Sequence, residues 1–173
     1  GAPVVSIAGG EPLLHPKITT IVDELISRKR FIYLCTNGLL VKKRFHDFSP
    51  SPYLTFNIHL DGMYERHDQA VCHEGAFEEA TEAIRRLVGA GFRVTTNTTF
   101  FKGQTVEDAA RLFDHLGSLG IEAMTVAAGF NYDSADDQDC FLGRKGTKEL
   151  FRGILRQTKS FWTFNHSSLY LDF

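Results

Sequence analysis

Five apolar, β-branched runs recur along the chain of 173 residues, and each is followed by a turn and usually by a helix-like stretch. The runs span 3–8, 31–35, 53–60, 92–100 and 121–127. Apolar residues between them repeat at helical spacing over 16–30, 77–88 and 105–116, and again over 147–159. This alternation predicts parallel β/α units, arranged either as a doubly wound sheet or as most of a barrel. A final run over 169–173 brings the expected number of strands to about six.

Composition restricts the class of protein. The chain is 43% hydrophobic and 12% aromatic, which predicts one domain with a real core. Its net charge of −2 and its interspersed charges give no support to nucleic-acid binding, and no apolar run approaches membrane-spanning length. The spacing of Cys35, Cys72 and Cys140 suits neither a disulfide framework nor a local metal site, so a reducing compartment is expected.

Polar or glycine-rich residues follow every predicted strand. In a β/α barrel the carboxyl ends of the strands form the active-site face, so these residues would converge on one rim. Alternatively, these residues have a purely structural role in ordinary turns. In chain order the segments are Gly9-Gly10-Glu11-Pro12, Cys35-Thr36-Asn37-Gly38, His59-Leu60-Asp61-Gly62, Thr96-Asn97-Thr98-Thr99 and Ala127-Ala128-Gly129.

The first of these segments carries the strongest signal. Gly9 and Gly10 allow positive φ and a close approach of the backbone to a ligand, and Pro12 stiffens the exit. Glu11 offers a carboxylate that can accept hydrogen bonds from an ammonium group. A plain strand-to-helix turn could have the same sequence, so the other rim segments decide the interpretation.

Taken in order, the rim segments resemble the radical S-adenosylmethionine (SAM) superfamily, and the resemblance covers essentially the whole chain. It implies a partial TIM-like (β/α) barrel in which Gly9, Gly10 and Glu11 hold the methionine amino group of SAM while Pro12 shapes the loop. Residues that end the next strands would contact the ribose. The cofactor-binding residues implied beyond the first loop are His59 or Asp61, Asn97, and the backbone around Val126.

Longer strings are similar to one branch of that superfamily, the adenosylhopane synthases of hopanoid biosynthesis. The resemblance implies an enzyme that adds the 5′-deoxyadenosyl radical of SAM to the terminal alkene of diploptene, with an electron donor such as flavodoxin or ferredoxin. It also implies a cytoplasmic protein that contacts the inner face of the membrane. Another radical SAM enzyme with a different substrate remains the alternative. The strings are GAPVVSIAGGEPLLHP, FIYLCTNGLL, SPYLTFNIHLDG, RVTTNTTF, RKGTKELFRGILR and FNHSSLYLDF.

The chain departs from the superfamily pattern because it contains no Cys-x3-Cys-x2-Cys triad, the ligand set of the [4Fe–4S] cluster. We therefore expect residues 1–173 to form an incomplete barrel core that starts at the second strand and lacks the cluster loop, with the cluster ligands upstream. A barrel module that has lost its cluster is a second possibility. A zinc site of the barrel-hydrolase type would need His15, His59, His67 and Asp61, whose spacing matches no ligand pattern, so no metal ligand is assigned.

Two further predictions concern substrate chemistry. Cys35 ends a strand, and if its thiol faces the barrel interior it can donate a hydrogen atom to a substrate radical; otherwise it is a small buried apolar residue. An apolar pocket for a polycyclic hydrocarbon is suggested by aromatic residues beside the rim, although such residues also commonly close a core. They are Phe100, Phe101, Phe130 and Tyr132.

Overall fold

Five parallel strands lie side by side in chain order in a computed structural model that describes residues 1–130 and 138–167. Each new strand joins the same edge, so the sheet curls into a half-barrel with helices outside it, whereas a doubly wound sheet would reverse its strand order. The predicted partial barrel is confirmed. The strands are β1 (Val4–Ile7), β2 (Phe31–Thr36), β3 (Leu54–His59), β4 (Arg93–Phe100) and β5 (Ala123–Ala128).

Helices follow the strands, and the four that periodicity predicts are present. Helix α5 (Val106–Ser118) begins with a capping box, in which Thr105 Oγ1 accepts from Asp108 N–H and Asp108 accepts from Thr105 N–H. The sequence did not predict α3 (Tyr64–Val71), whose residues are largely charged or polar. The described helices longer than three residues are α1 (Ile18–Ser27), α2 (Val41–Arg44), α3 (Tyr64–Val71), α4 (Ala76–Gly89), α5 (Val106–Ser118) and α6 (Gly143–Gln157).

The hydrophobic core lies between the sheet and the helices. Side chains alternate along each strand, so Leu34, Phe56 and Val126 point outward into this core and are fully buried. Phe100 belongs to the same layer: it is 0% exposed and meets Phe113 edge to face, 6.0 Å between ring centroids. The prediction that Phe100 lines a ligand pocket is therefore wrong, because the alternation turns it toward α5.

The opposite face of the sheet is concave and carries the intervening strand residues. This surface, which we call the concave face, is largely polar. Its members include Ser6, Cys35, Asn57, His59, Thr95, Asn97, Thr99 and Thr125.

A short segment near the end of the described chain pairs with the open edge of β5. Met124 N–H donates to the carbonyl of Thr163 at 2.8 Å, and Asn165 N–H donates to the carbonyl of Met124 at 2.9 Å. This segment occupies the position of a sixth strand, while the strand predicted over 169–173 lies outside the described residues. No helix within 1–130 and 138–167 has the length and apolarity needed to cross a membrane.

Candidate functional site

The Glu11 carboxylate ties the end of β1 to the end of β2. Its Oε1 accepts from Leu13 N–H at 3.0 Å and from the Thr36 hydroxyl at 2.8 Å, and its Oε2 accepts from Asn37 N–H at 3.0 Å. These bonds fix the carboxylate in one orientation. A carboxylate has about four lone-pair positions, so Oε2 keeps capacity for another donor.

The backbone before Glu11 forms an open shelf at the rim, which we call the glycine shelf and define as Gly9 and Gly10. Gly9 has φ of +124°, a conformation that L side chains rarely adopt, and both glycines are exposed. A Cβ at either position would have no heavy atom within 4 Å. A ligand can therefore reach these backbone groups. A cationic amino group beside the shelf could donate a hydrogen bond to Glu11 Oε2. The predicted residues Gly9, Gly10 and Glu11 thus lie together, and Pro12 is buried behind them as the first residue of a short 3₁₀ turn.

At the end of β3, His59 and Asp61 form a pair with unequal exposure. His59 Nε2 lies 2.8 Å from Asp61 Oδ2, and the side chains are 34% and 7% exposed. Asp61 also accepts from Thr99 N–H at 2.7 Å, and its carbonyl accepts from Gln104 Nε2 at 2.7 Å. The carboxylate is thus committed to protein donors. His59 is the member of the pair that can reach a ligand, with Asp61 orienting its ring.

His67 supports this pair from the core. Its Nδ1 accepts from Asp61 N–H at 3.2 Å, which places the proton of the neutral ring on Nε2. Burial lowers the pKa of His67 below its ordinary value, and the neighbouring His59 lowers it further. The buried, neutral imidazole of His67 therefore stabilises the turn that carries Asp61.

The third part of the rim joins β4, β5 and the segment beside β5. Asn97 lies on the concave face of β4 in register with Thr125, and the Thr125 hydroxyl accepts from Asn165 Nδ2 at 2.8 Å. Val126 is buried by its side chain, and His166 Nε2 lies 3.0 Å from both its backbone nitrogen and its backbone oxygen. Asn97 thus lies on the concave face beside Thr125, whereas Val126 offers only its backbone at this edge because its side chain points into the core.

Cys35 lies on the concave face as the last residue but one of β2. Its Sγ lies 3.4 Å from Ser6 Oγ and 3.6 Å from Asn57 Nδ2. Asn57 Oδ1 in turn accepts from the Thr95 hydroxyl at 3.1 Å. A chain of polar contacts therefore crosses four strands with the thiol near its middle. The alternation of β2 turns Cys35 away from the helices, as the hydrogen-donor prediction requires.

Of the other predicted aromatic residues, Phe130 is 75% exposed just beyond β5, and Phe101 packs against Phe141 with 6.1 Å between ring centroids. Gly129 permits this packing, because a Cβ there would lie 2.6 Å from Phe101. Apolar surface is therefore present at the rim of β4 and β5. Tyr132 lies outside the described residues.

Metal ligands do not converge in the part of the chain that the structure describes. There, no three His, Cys, Asp or Glu side chains could hold an ion, and the loop residue His15 instead accepts from Lys17 N–H through Nδ1. Cys72 is exposed at the end of α3, far along the chain from half-buried Cys35 and Cys140. The residues present fit the methionyl end of SAM, but they do not fit a [4Fe–4S] cluster.

Sequence reasoning missed several residues of the concave face. Their common signal is the period-two alternation along the strands, which places them on the side opposite to the core. The contacts themselves depend on the register between strands, which the sequence does not show. The missed residues of the strands are Ser6, Asn57, Thr95 and Thr125, and Asn165 and His166 were missed on the segment beside β5.

Comparisons with known proteins agree with this geometry. The family model described as "Radical SAM superfamily" matches residues 1–116, and that described as "Domain of unknown function (DUF3463)" matches residues 124–173. The GTP 3′,8-cyclase of Thermodesulfovibrio yellowstonii is 32% identical over 106 residues, covering 60% of this chain and 33% of that protein. The GTP 3′,8-cyclase of Aliarcobacter butzleri is 24% identical over 170 residues, covering 92% and 52%.

Among solved structures, SuiB of Streptococcus suis superimposes with a TM-score of 0.76 at 18% identity, covering 97% of this chain and 40% of that one. This likeness shows the fold. The chain spans about a third to a half of the length of the curated relatives it matches. Because the superfamily model covers more than half of the chain and the glycine shelf lies where the fold has its active-site face, the chain belongs to the radical SAM superfamily of SAM-dependent enzymes.

Proposed function

We propose that this chain is the SAM-binding barrel of an enzyme that adds the 5′-deoxyadenosyl group to the terminal alkene of the triterpene diploptene. One observation carries the SAM-binding part: the glycine shelf is open, and Glu11 is held beside it by three hydrogen bonds with acceptor capacity left. The proposal treats residues 1–173 as one barrel core.

The residues of the chain hold and orient the cofactor. The backbone of Gly9 and Gly10 and the carboxylate of Glu11 receive the methionyl ammonium group. His59, oriented by Asp61, and Asn97 offer polar groups for the ribose hydroxyls, and the edge of β5 at Val126 lines the adenine. When bound, SAM supplies the 5′-deoxyadenosyl radical, and the barrel excludes water and competing hydrogen donors from it.

Radical SAM enzymes use a [4Fe–4S] cluster to cleave SAM, and cluster ligands are thiolates. The three cysteines of this chain form no such triad. The proposal therefore assigns the ligands to a part of the protein other than these 173 residues, and the electron to a donor such as flavodoxin or ferredoxin. It places the enzyme in the cytoplasm, in contact with the inner face of the membrane, where its lipid substrate lies.

The choice of diploptene rests on the sequence strings shared with adenosylhopane synthases and on the exposed aromatic surface at the rim. Phe130 is three-quarters exposed just beyond β5, and the half-buried Phe101 and Phe141 pack against each other, which provides apolar surface for a hydrocarbon ring system. Most of the concave face below the rim is polar, so the apolar acceptor would lie across the mouth of the barrel. Only its alkene carbon would need to approach the adenosyl radical.

Cys35 is proposed to reduce the radical that addition leaves on the substrate. The thiol gives a hydrogen atom, so a C–H bond forms while the S–H bond breaks and a thiyl radical remains. One electron from the flavodoxin- or ferredoxin-type donor and one proton restore the thiol. The position of Sγ on the concave face, one step below the rim, supports this role.

A second candidate is cyclisation of GTP, which is favoured by the names of the curated relatives and by the polar concave face. Asn97, Thr125 and Asn165 present amide and hydroxyl groups that suit a nucleotide better than a hydrocarbon. The two candidates share the SAM site and differ only in the acceptor, so one experiment can separate them.

The intact protein, with its cluster reconstituted under anaerobic conditions, should be given SAM, a reductant and either diploptene or GTP. We expect an adenosylated triterpene by mass spectrometry, and no consumption of GTP. The Glu11→Gln variant should bind SAM more weakly and form less product, while Glu24→Gln, which changes an exposed carboxylate on α1, should match the wild type in both. Conversion of GTP without conversion of diploptene would establish the second candidate instead.

A further inference from the structure

We infer that Asn57 is a positioning residue for the Cys35 thiol, an inference that rests on the hydrogen-atom role proposed above. Asn57 and Cys35 are partners in the register of β3 with β2, and Asn57 Nδ2 donates to Sγ at 3.6 Å. Ser6 Oγ on β1 lies 3.4 Å from the same sulfur. The thiol is therefore held from both neighbouring strands.

The amide of Asn57 is itself held in one orientation. The Thr95 hydroxyl donates to Asn57 Oδ1 at 3.1 Å, which turns the oxygen toward β4 and leaves the NH₂ group facing β2 and the sulfur. The opposite orientation would place an amide oxygen against the sulfur and an NH₂ group beside Oγ1. Asn57 therefore links the Cys35 thiol to Thr95 on β4.

This arrangement has a chemical consequence for the S–H bond. Because the sulfur accepts from Asn57, its hydrogen does not point at that amide, and the carbonyl of Tyr33 is 3.9 Å away, too far for a strong bond. The hydrogen can go to Ser6 Oγ at 3.4 Å or to the Tyr33 carbonyl, and both are weak contacts for a thiol. Hydrogen-atom transfer acts over a short distance, so holding the sulfur in place decides whether it reaches the substrate radical.

The first test measures the S–H bond of Cys35 directly and does not depend on the reaction of the cofactor. The infrared S–H stretching band of Cys35 can be assigned in the full-length protein by its loss in Cys35→Ala. Asn57→Asp keeps an acceptor for Thr95 but removes the donor to the sulfur, and Asn57→Leu removes both groups while keeping the same branching at Cγ. We expect the band to shift and broaden in both variants. It should stay unchanged in Thr55→Val, a control two residues earlier on the same face of β3.

The second test measures reduced adduct formed per SAM cleaved in the intact, cluster-loaded enzyme. We expect this ratio to fall in both Asn57 variants, with SAM cleavage retained, and to stay at the wild-type value in Thr55→Val. Asn57→Leu should cause no further loss in a Cys35→Ala background, because a positioning residue acts only through the thiol.

The outcomes separate the two claims. If Cys35→Ala leaves the ratio unchanged, the hydrogen-atom role is wrong. If Cys35→Ala lowers the ratio while the Asn57 variants match wild type in both the ratio and the S–H band, the positioning inference is wrong. A further loss from Asn57→Leu in the Cys35→Ala background would also overturn it, since Asn57 would then act on the substrate directly. Asn57→Asp keeps the test usable where Asn57→Leu does not fold.

Discussion

Two carboxylates occupy equivalent places in the half-barrel and are used in opposite ways. Glu11 follows β1 and Asp61 follows β3, and each ties its own strand end to the next strand of the sheet. Glu11 is half-buried beside the open glycine shelf, and its carboxylate can accept a further hydrogen bond. Asp61 is buried, and both oxygens of its carboxylate are bonded to Thr99 and His59. In the proposed SAM site, the carboxylate with open glycines beside it therefore contacts the ligand directly, whereas the buried carboxylate acts through the histidine that it orients.

The largest effect should come from Glu11→Gln. The amide would turn an NH₂ group toward one of the donors that now bind the carboxylate, and the negative charge facing the ammonium group of SAM would be lost. Hydrogen bonds to charged groups contribute about 1.5–3 kcal/mol, so we expect SAM affinity to fall by roughly 10- to 100-fold. Isothermal titration of the intact protein with SAM measures this. Glu24→Gln is the matched control, and an equal loss in both variants would refute the role of Glu11.

A smaller effect is expected at the second carboxylate. Asp61→Asn keeps an oxygen for Thr99 N–H but weakens the bond to His59, so the unfolding free energy should fall by about 1–2 kcal/mol while SAM affinity falls only several-fold. His59→Ala should lower SAM affinity to a similar extent with less loss of stability. If Asp61 acts through His59, the two changes combined should lower affinity no more than His59→Ala alone. Additive losses would mean that Asp61 meets the ligand itself, and the contrast with Glu11 would disappear.

Sequence patterns predicted most of this fold because its parallel strands are buried on the helix side and alternate with amphipathic helices. The runs at 31–35 and 92–100 match β2 and β4 within one residue at each end. Helix α3 was missed because its largely charged and polar sequence lacks an apolar stripe. The pattern placed Phe100 at the rim for its position in the chain, although the alternation along β4 sends it to the core.

The candidate site was predictable only in part. Gly9, Gly10 and Glu11 are adjacent in sequence, so a local motif was enough to identify their shelf. The sequence could not predict that Asp61 is bonded within the protein while His59 stays accessible. This difference depends on the hydrogen bond from Thr99, which lies 38 positions after Asp61. The contacts of Cys35 with Ser6 and Asn57 likewise span 29 and 22 positions. Such contacts follow from strand register, which a single sequence does not show.

A third prediction concerns the histidine behind Asp61. Burial lowers the pKa of His67 from its ordinary value of 6.5, so the unfolded chain binds a proton there before the folded protein does. Stability is therefore complete above pH 6.5 and decreases as the pH falls below it, by at most about 1.4 kcal/mol per pH unit for each such group. Urea unfolding at pH 7.5 and 5.5, chosen roughly one unit on either side of the ordinary His value, measures this.

His115 contributes in the same direction, since burial and then Arg85 lower its pKa. Comparison with His67→Gln isolates the part that belongs to the Asp61 turn, because glutamine can accept from Asp61 N–H but does not titrate. We expect this variant to be less stable at pH 7.5 but to lose less stability on acidification. An equal pH dependence in wild type and variant would show that His67 does not titrate as its burial requires.

The smallest effect should arise just beyond the second carboxylate, at the cap of α5. Thr105 follows Gln104, whose side chain binds the Asp61 carbonyl, and its hydroxyl accepts from Asp108 N–H at 3.2 Å. Thr105→Ala should lower the unfolding free energy by about 1 kcal/mol, as lost N-caps do, and leave SAM affinity unchanged. Ser118→Ala, at the other end of the same helix, should change stability by less than about 0.5 kcal/mol. Because we propose that the Asp61 region contacts the ligand through the His59 ring, weakening the cap of α5 should not change cofactor binding. A loss of SAM affinity in Thr105→Ala would show instead that the whole turn from Asp61 to α5 is held in place for ligand binding, as the Glu11 loop is.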